Sequence, residues 1–495
     1  MNFYFSAAKT LDRLDSKQGS IKGVLATLPE KDRKRTAALV IETLKYKAAL
    51  ANVIKACGLL AAEKKIMSMN LALVLVHDLL LAKGIQAGDG PVKQAVLRHK
   101  TRLQGEWTKM KIKRGAKSNE DLAQVGDQRA ALIPRYVRVN TNLWSVDEAV
   151  KSLQASGSKL ADPFASTSNF QRDAHVPDLL LFSPKKAFHD DAAYKSGKLI
   201  LQDKASCFPP LVLNPPASTK ATVIDATAAP GNKTTYLSAL MGNKGKLFAF
   251  ERDKRRFQTL KTMVSKAACK NVTPVNADFL TIDPNDETYS GVMHILLDPS
   301  CSGSGIVNRL DYLLETEEEN DSQDERLAKL ASFQLLMIKH AMKFPSARRI
   351  VYSTCSIHAT ENEHVVREAL ASEECRAGNF VLASRDSVLP TWPRRGMKEE
   401  MGESGADAEG LIRCLPGEDA TNGFFVSCFV RRMDDEAVEE VEVSKGKSAE
   451  AQPARKKRKA EDAEPSAEDD TAPHEGSTTA QAKRRKKKKK KAKAE

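Results

Sequence analysis

A chain of 495 residues, 41% of them hydrophobic, can hold two or three domains and bury a sizeable core, so size excludes neither an enzyme nor a large binding protein. The eight cysteines are scattered, with no Cys-x-x-Cys pair and no metal-ligand cluster, which argues against both a zinc site and a disulfide framework. Residues 71–81, the longest apolar stretch, are interrupted by His77 and Asp78 and are too short to span a bilayer.

The N-terminus meets charged residues before any long apolar run, unlike a secretory signal, so the expectation is a soluble chain in a reducing intracellular compartment. The net charge of +14 is unevenly spread: residues 1–130 carry 24 Lys and Arg against 12 Asp and Glu, residues 131–432 carry 37 against 37, and the tail from 433 carries 17 against 15. A lone charge run is more often a solvated face. A surplus confined to one region beside a neutral remainder is what a polyanion-binding accessory domain shows, and the expected partner is nucleic acid.

In chain order, residues 1–125 read as a basic helical domain, with apolar positions at helical spacing in VLATLPEKDRKRTAALVIETLKYKAALANVIKACGLL and MSMNLALVLVHDLLLAKG. Residues 109–125 read as a polar, basic linker or phosphate-facing loop. Residues 126–215 read as a small α+β unit, strand-like in PRYVRVNT, VPDLLLFSP and LILQDKAS and helix-like in VDEAVKSLQASG. From 216 to 432 strands and helices alternate as a doubly wound parallel sheet requires, starting with ATVIDAT and NKTTYLSALMG and ending with NGFFVSCFVRR. Residues 433–495 have too few large apolar side chains to fold, and their basic clusters at 455–459 and 483–493 read as a nuclear or nucleolar address.

Chemistry in such sheets gathers at the C-terminal ends of the strands. There the sequence places a loop of small residues opening a helix, Thr227, Ala228, Ala229, Pro230, Gly231, Asn232 and Lys233, whose backbone can approach a ligand closely. Glu251, twenty residues past Gly231, ends the next strand, where a carboxylate can accept both hydroxyls of a ribose. Asp278 and Asp298 end the two strands after it. One strand-ending Asp is usually a helix cap; four successive strands ending in Asp or Glu, counting the Asp of ATVIDAT, outline a nucleoside-shaped cleft. The loop lacks both the G-x-x-x-x-G-K-[ST] cradle and the full G-x-G-x-x-G fingerprint, so a nucleoside without a phosphate chain fits better than ATP or a dinucleotide.

The ordered set DATAAPGNKT, FERDKRRF, NADF, LLDPSCSGSG and YSTCS resembles the Sun-domain family of RNA (cytosine-5) methyltransferases over residues 130–432, and LDRLDSKQGSIKG resembles its eukaryotic branch acting on large-subunit ribosomal RNA. The resemblance implies an α/β fold: a Rossmann-like class I methyltransferase sheet preceded by a helical N-terminal domain and a small α+β, RRM-like unit. It further implies S-adenosylmethionine as cofactor, held by residues 227–233, Glu251, Arg256, Asp278 and Asp298, with Glu251 at the ribose, Asp278 near the adenine and Asp298 near the methionine end or the target base. No metal and no membrane is expected, and the chain is expected to act as a monomer on ribosomal RNA or a pre-ribosomal particle in the nucleus or nucleolus.

Carbon 5 of cytosine is a poor nucleophile, and a thiolate added at C6 is what activates it. Cys301 in DPSCSGSG and Cys355 in YSTCS are the candidates, each following a strand of the catalytic sheet. Either one alone reads as a packing residue; as a pair at the reactive edge they read as chemistry. The resemblance implies Cys355 as the nucleophile and Cys301 as the residue that helps release the methylated product. Without it the order stays open, because DNA cytosine-5 methyltransferases use the Cys301-like position. Arg135, Arg138 and the 109–117 run are the candidates for gripping RNA phosphates, and His358 reads as an exposed helix cap that could also tune the thiol. Two rivals remain: an enzyme of the same fold acting on DNA or a small molecule, and a ribosome-assembly scaffold without catalysis.

Overall fold

The computed structural model describes residues 1–314 and 323–432. The basic clusters at 455–459 and 483–493, which carry the nuclear expectation, lie outside the described residues. Among the described residues no helix is long and apolar enough to cross a membrane.

The N-terminal region is helical, running through α1 (Asn2–Asp15), α2 (Ile21–Ala26), α3 (Glu30–Lys45), α4 (Lys47–Cys57), α5 (Leu59–Ala62), α6 (Met69–Leu81), α7 (Pro91–Arg98) and α8 (Lys100–Lys113). Tyr4, Ala7, Ala8, Leu11 and Leu14 recur every three or four residues along α1 and form its buried face. Helix α6 is apolar nearly all round, which suits it to the centre of the bundle, and Ser68 caps it by accepting the Leu71 N–H at 3.1 Å. The segment read as a loop from 109 is helical as far as Lys113. Leu103 and Trp107 share one buried face of α8, and the Trp107 indole N–H donates to Asn119 Oδ1 at 3.0 Å, drawing the following turn back onto the helix.

The small α+β unit is a five-stranded sheet of β1 (Arg135–Val139), β2 (Lys159–Leu160), β3 (Asn169–Arg172), β4 (Leu179–Phe182) and β5 (Leu199–Leu201), in the order β2-β3-β4-β1-β5, with α9 (Val146–Ala155) and α10 (Ala192–Lys195) between strands. Strand alternation divides β1: Val137 and Val139 pack with Ala149 and Val150 of α9, whereas Tyr136 and Arg138 face the other way. Arg138 is therefore not available to RNA. It is fully buried, donating to Gln202 Oε1 at 2.8 Å and Thr235 Oγ1 at 2.9 Å, with its guanidinium 4.4 Å from the Tyr236 ring centroid. It ties the small unit to the catalytic domain.

Next come α11 (Lys204–Leu213), β6 (Thr222–Asp225), α12 (Asn232–Leu240), β7 (Lys246–Phe250), α13 (Lys254–Lys266), β8 (Val272–Val275), β9 (His294–Leu297), α14 (Gln323–Met342), β10 (Arg349–Thr354), α15 (Glu363–Leu370), α16 (Glu373–Ala377), β11 (Phe380–Leu382), β12 (Ile412–Cys414) and β13 (Phe424–Arg431). The sheet order is β8-β7-β6-β9-β10-β13-β11, with β12 also paired to β13. Strands β8, β7, β6, β9 and β10 run parallel to one another, and β13 runs antiparallel to β10. This is the class I methyltransferase arrangement, in which the order reverses beside β6 and opens a crevice there.

Alternation along the strands fills both faces. Val223, Leu296 and Val351 pack with Phe208 of α11 and Leu237 of α12, while Ile224, Ile295 and Ile350 pack with Ile338 of α14 and Val365 of α15. Helix α11, grouped by sequence with the small unit, thus covers the catalytic sheet.

Candidate active site

The C-terminal ends of β6, β7, β9 and β10 open onto one cavity of about 1190 Å³. Its acidic end begins at the β6–α12 loop. Gly231 has φ +115°, and a Cβ there would stand 3.1 Å from Met263 Cβ and 3.3 Å from Leu260 Cδ1 of α13, so only glycine allows the loop to pass so close. Asp225 is buried beneath the loop and accepts from Thr234 Oγ1 at 2.7 Å; burial pushes its carboxyl up to about 6.

Glu251 is 5% exposed yet lines the cavity. Its Oε1 accepts the Asp253 N–H at 2.8 Å and its Oε2 lies 3.5 Å from Arg256, whose own guanidinium donates to the Ala229 carbonyl at 2.6 Å. Arg256 therefore links the loop to the acidic strand end. Asp278 stands three residues past the end of β8 rather than on it. It caps a short 3-10 turn (Phe279–Thr281) by accepting the Leu280 N–H at 3.1 Å, and still lines the cavity. Two carboxylate acceptors beside Phe250, Ala277 and Phe279 can take hydrogen bonds from hydroxyls. The arrangement fits a nucleoside.

At the other end Asp298 joins three elements. Its Oδ2 accepts from Lys233 Nζ at 2.8 Å, its Oδ1 accepts from Ser353 Oγ at 2.8 Å, and its N–H donates to Thr227 Oγ1 at 3.0 Å. Burial alone would lower the Lys233 pKa, but Asp298, Cys355 and Asp225 hold it above the ordinary lysine value.

The two thiols meet here, Cys301 Sγ standing 3.1 Å from Cys355 Sγ. Side chains hold their loops together: the hydroxyls of Ser302, Ser304 and Ser356 lie 3.1–3.2 Å from one another, and Ser304 Oγ also accepts the Ile357 N–H at 3.1 Å. The Gly305 N–H donates to the Cys355 carbonyl at 2.9 Å, and a Cβ on Gly305 would stand 2.3 Å from the Gly423 carbonyl, so this crossing requires glycine. The hydrogen bond from Cys301 is the largest influence lowering the Cys355 pKa; burial and Asp298 oppose it, while Lys233 and Arg309 act with it. The same pairing, with burial, pushes the Cys301 thiol up.

All the site positions named from sequence thus surround one cavity or its loop. The candidates for phosphate contact do not stay together. Arg135 lines the cavity, Arg138 is buried away from it, and the exposed Lys109 and Ile112 border a separate shallow groove on α8. His358 is half-buried, not exposed, at the start of the 3-10 turn Ala359–Glu361, and its Nε2 has no partner among the described residues. Sequence reasoning missed Lys22 and Arg309, which also line the cavity. Arg309 could have been noticed from its position eight residues past Cys301; Lys22 stands in the segment LDRLDSKQGSIKG, but nothing in that segment marks it as a cavity residue.

Comparison with known proteins accords with this architecture. A family model described as 16S rRNA methyltransferase RsmB/F matches residues 210–430, and models for the N-terminal and ferredoxin-like domains of NOL1/NOP2/Sun domain family member 5 match residues 34–123 and 133–202. The chain is 45% identical over 428 residues to the 25S rRNA (cytosine-C(5))-methyltransferase rcm1 of Schizosaccharomyces pombe, covering 86% of this chain and 91% of that protein. It is 43% identical over 441 residues to a 28S rRNA (cytosine-C(5))-methyltransferase of Mus musculus, covering 87% of this chain and 91% of that one. The crystal structure of PH0851 shares the fold at 22% identity, with a TM-score of 0.54 over 82% of this chain and 91% of that chain. The chain belongs to the NOL1/NOP2/Sun domain family of rRNA (cytosine-C5)-methyltransferases, in its member-5 branch.

Proposed function

We propose that this protein methylates C5 of a cytosine in large-subunit ribosomal RNA, with S-adenosylmethionine as methyl donor, Cys355 as nucleophile and Cys301 as the residue that aids release. The observation that carries this reading is the 3.1 Å contact between the two thiols beside the Lys233–Asp298 pair. The identities of 45% and 43% to 25S and 28S rRNA methyltransferases support the substrate.

When bound, S-adenosylmethionine supplies an electrophilic methyl group. Glu251 would accept its ribose hydroxyls, Asp278 would lie at the adenine, and the 227–233 loop with Arg256 and Asp298 would frame the rest. The target base must leave its stack to reach the thiols. Cys355 adds as thiolate to C6, which turns C5 into a nucleophile. After C5 has taken the methyl group, loss of the C5 proton lets the C6–S bond break and the Cys355 thiolate leave. Lys233 keeps a positive charge by the sulfur while it is anionic. Cys301 keeps its proton when Cys355 adds to C6, so it can donate its S–H to the Cys355 sulfur again as the C6–S bond breaks and the thiolate leaves, while the C5 proton passes to water.

The basic helical domain (1–125) and the small unit (126–215) would hold the RNA, with the catalytic domain (216–432) acting as part of a monomer. A nuclear, nucleolar location is supported by the tail clusters (433–495) and by the substrates named for the relatives. Substitution tests the roles. Cys355→Ala is expected to abolish methylation and leave no protein–RNA adduct on a denaturing gel, whereas Cys301→Ala accumulates one. Exchanged phenotypes overturn the roles; unchanged 5-methylcytosine in every ribosomal RNA after loss of the protein, read by bisulfite sequencing, overturns the function.

A further inference from the structure

The segment DPSCSGSG after β9 is made of small residues, so nothing in its own sequence fixes where the Cys301 side chain points. Two peptide units meet at the Cys301 Cα, and each is gripped by a buried side chain from another element. On one side the Ser300 carbonyl accepts from Gln334 Nε2 of α14 at 3.0 Å. On the other the Ser302 N–H donates at 2.9 Å to Glu361 Oε1, in the 3-10 turn that follows Cys355. Each peptide unit is planar, so holding both fixes φ and ψ at Cys301 and with them the direction of its Cα–Cβ bond.

The two grips form one unit. Gln334 Nε2 also donates to Glu361 Oε1 at 3.0 Å, and the Tyr352 hydroxyl stands 2.9 Å from Gln334 Oε1 and beside the Glu361 carbonyl. All three side chains are fully buried, and Glu361 Oε2 has no partner among the described residues. An unmet buried oxygen costs stability, so stability by itself does not account for an acid at this position. Further along, the same loop is anchored in the helical domain: Leu313 is 4% exposed within the core of the N-terminal helices, and the Tyr312 carbonyl accepts from Gln124 Nε2 at 2.8 Å. That anchor lies too far along the chain to aim the Cys301 sulfur.

We propose that Glu361, together with Gln334, is a positioning residue that aims the Cys301 Sγ at the Cys355 Sγ and so governs how readily the bond from Cys355 to C6 breaks after methylation. This rests on the reading that Cys355 is the nucleophile and Cys301 the residue that aids release. In that step C5 gives its proton to water, the C6–S electron pair returns to the Cys355 sulfur, and the Cys301 S–H donates to the thiolate that forms. The sulfurs stand 3.1 Å apart, and a hydrogen bond weakens steeply once its donor is misaligned. Glu361 and Gln334 do not themselves line the cavity, so they act through Cys301.

The test uses the full chain, S-adenosylmethionine, an RNA fragment that the wild type methylates, and Glu361→Met and Glu361→Gln variants. Methionine keeps the bulk and removes the acceptor; glutamine keeps an acceptor oxygen. Glu361→Met should lower kcat about ten- to a hundredfold, with KM for RNA and affinity for S-adenosylhomocysteine nearly unchanged, and should accumulate the protein–RNA adduct expected of Cys301→Ala. Glu361→Gln should clear the adduct and recover most of kcat. Adding Cys301→Ala to Glu361→Met should change little further, because both remove the same interaction. Loss of kcat without an adduct overturns the proposal, as does wild-type turnover in Glu361→Met, an adduct that Glu361→Gln retains, or a fall in S-adenosylhomocysteine affinity in step with kcat. Should Glu361→Met not fold, Gln334→Met carries the same test: it frees the Ser300 carbonyl and leaves the Ser302 N–H held, so an adduct is expected and wild-type release overturns the proposal. Absence of any adduct in Cys301→Ala overturns the assigned roles of the two cysteines instead, so the two failures are distinct.

Discussion

At the acidic end of the cavity each group is set by its own strand. Glu251 follows β7 directly and is held by the N–H of Asp253 two residues on, and Asp278 is held by Leu280 in the same way. At the thiol end nothing is local. Cys301 and Cys355 are 54 residues apart and are brought to 3.1 Å by hydroxyls donated between loops, by a backbone crossing at Gly305 and Gly423, and by an anchor in another domain. Strand ends are a rigid, repeatable way to present a carboxylate. A matched pair of thiols needs the whole surround to hold it.

Breaking the surround should therefore cost more than trimming the acidic end. Glu363 and Arg413 form a buried pair, Nε to Oε1 at 2.6 Å, and Arg413 NH1 also donates to the Ile357 carbonyl two residues past Cys355, at 2.9 Å. Glu363→Ala leaves the guanidinium buried and unpaired. It is expected to lower stability by about 3–5 kcal/mol in chemical denaturation, a loss on a par with removing half of any buried ion pair. A loss below about 1 kcal/mol would show that the Cys355 loop is held by other contacts.

A smaller effect is expected at the acidic end. Glu251→Gln keeps the shape and one acceptor but loses the charge beside Arg256. Affinity for S-adenosylhomocysteine, measured by calorimetry, should fall about tenfold with little change in the unfolding midpoint. If the two losses exchange places, with stability falling and affinity intact, Glu251 serves the fold and not the ligand.

The smallest expected effect is a displacement along the pH axis. The pKa of Cys355 is lowered first by the Cys301 hydrogen bond and also by Lys233, so its thiolate persists below the ordinary thiol range. Alkylation of Cys355 followed by mass spectrometry should have its rising limb at that lower pH. Removing the S–H donor in Cys301→Ala should move the limb up, and removing the cation in Lys233→Met should move it up less. A limb that stays in place in both variants would mean that the pair does not activate the thiol.

Much of the fold was legible because it rests on periodicity. Val223 and Ile224 alternate in β6 as a two-sided parallel strand requires, and the catalytic sheet follows from repeating that pattern. The short strands β11 and β12, three residues each, carry too little pattern to read and owe their existence to pairing with β13. Arg138 was misread for a physical reason: alternation shows that it shares a face with Tyr136 but not that α12 covers that face. The basic run from 109 was read as loop because its charges are conspicuous and the burial of Leu103 and Trp107 before it is not.

By itself the sequence determined the class of sheet, the small-residue loop, the acids at the strand ends and the two cysteines, since each of these lies within a few residues of the strand that presents it. Only the tertiary structure decided that the two sulfurs touch, that Arg138 is a strut, and that Leu313 anchors the catalytic loop in the helical domain. A strand end is fixed by its own backbone, whereas the surroundings of a side chain are made by elements tens or hundreds of residues away.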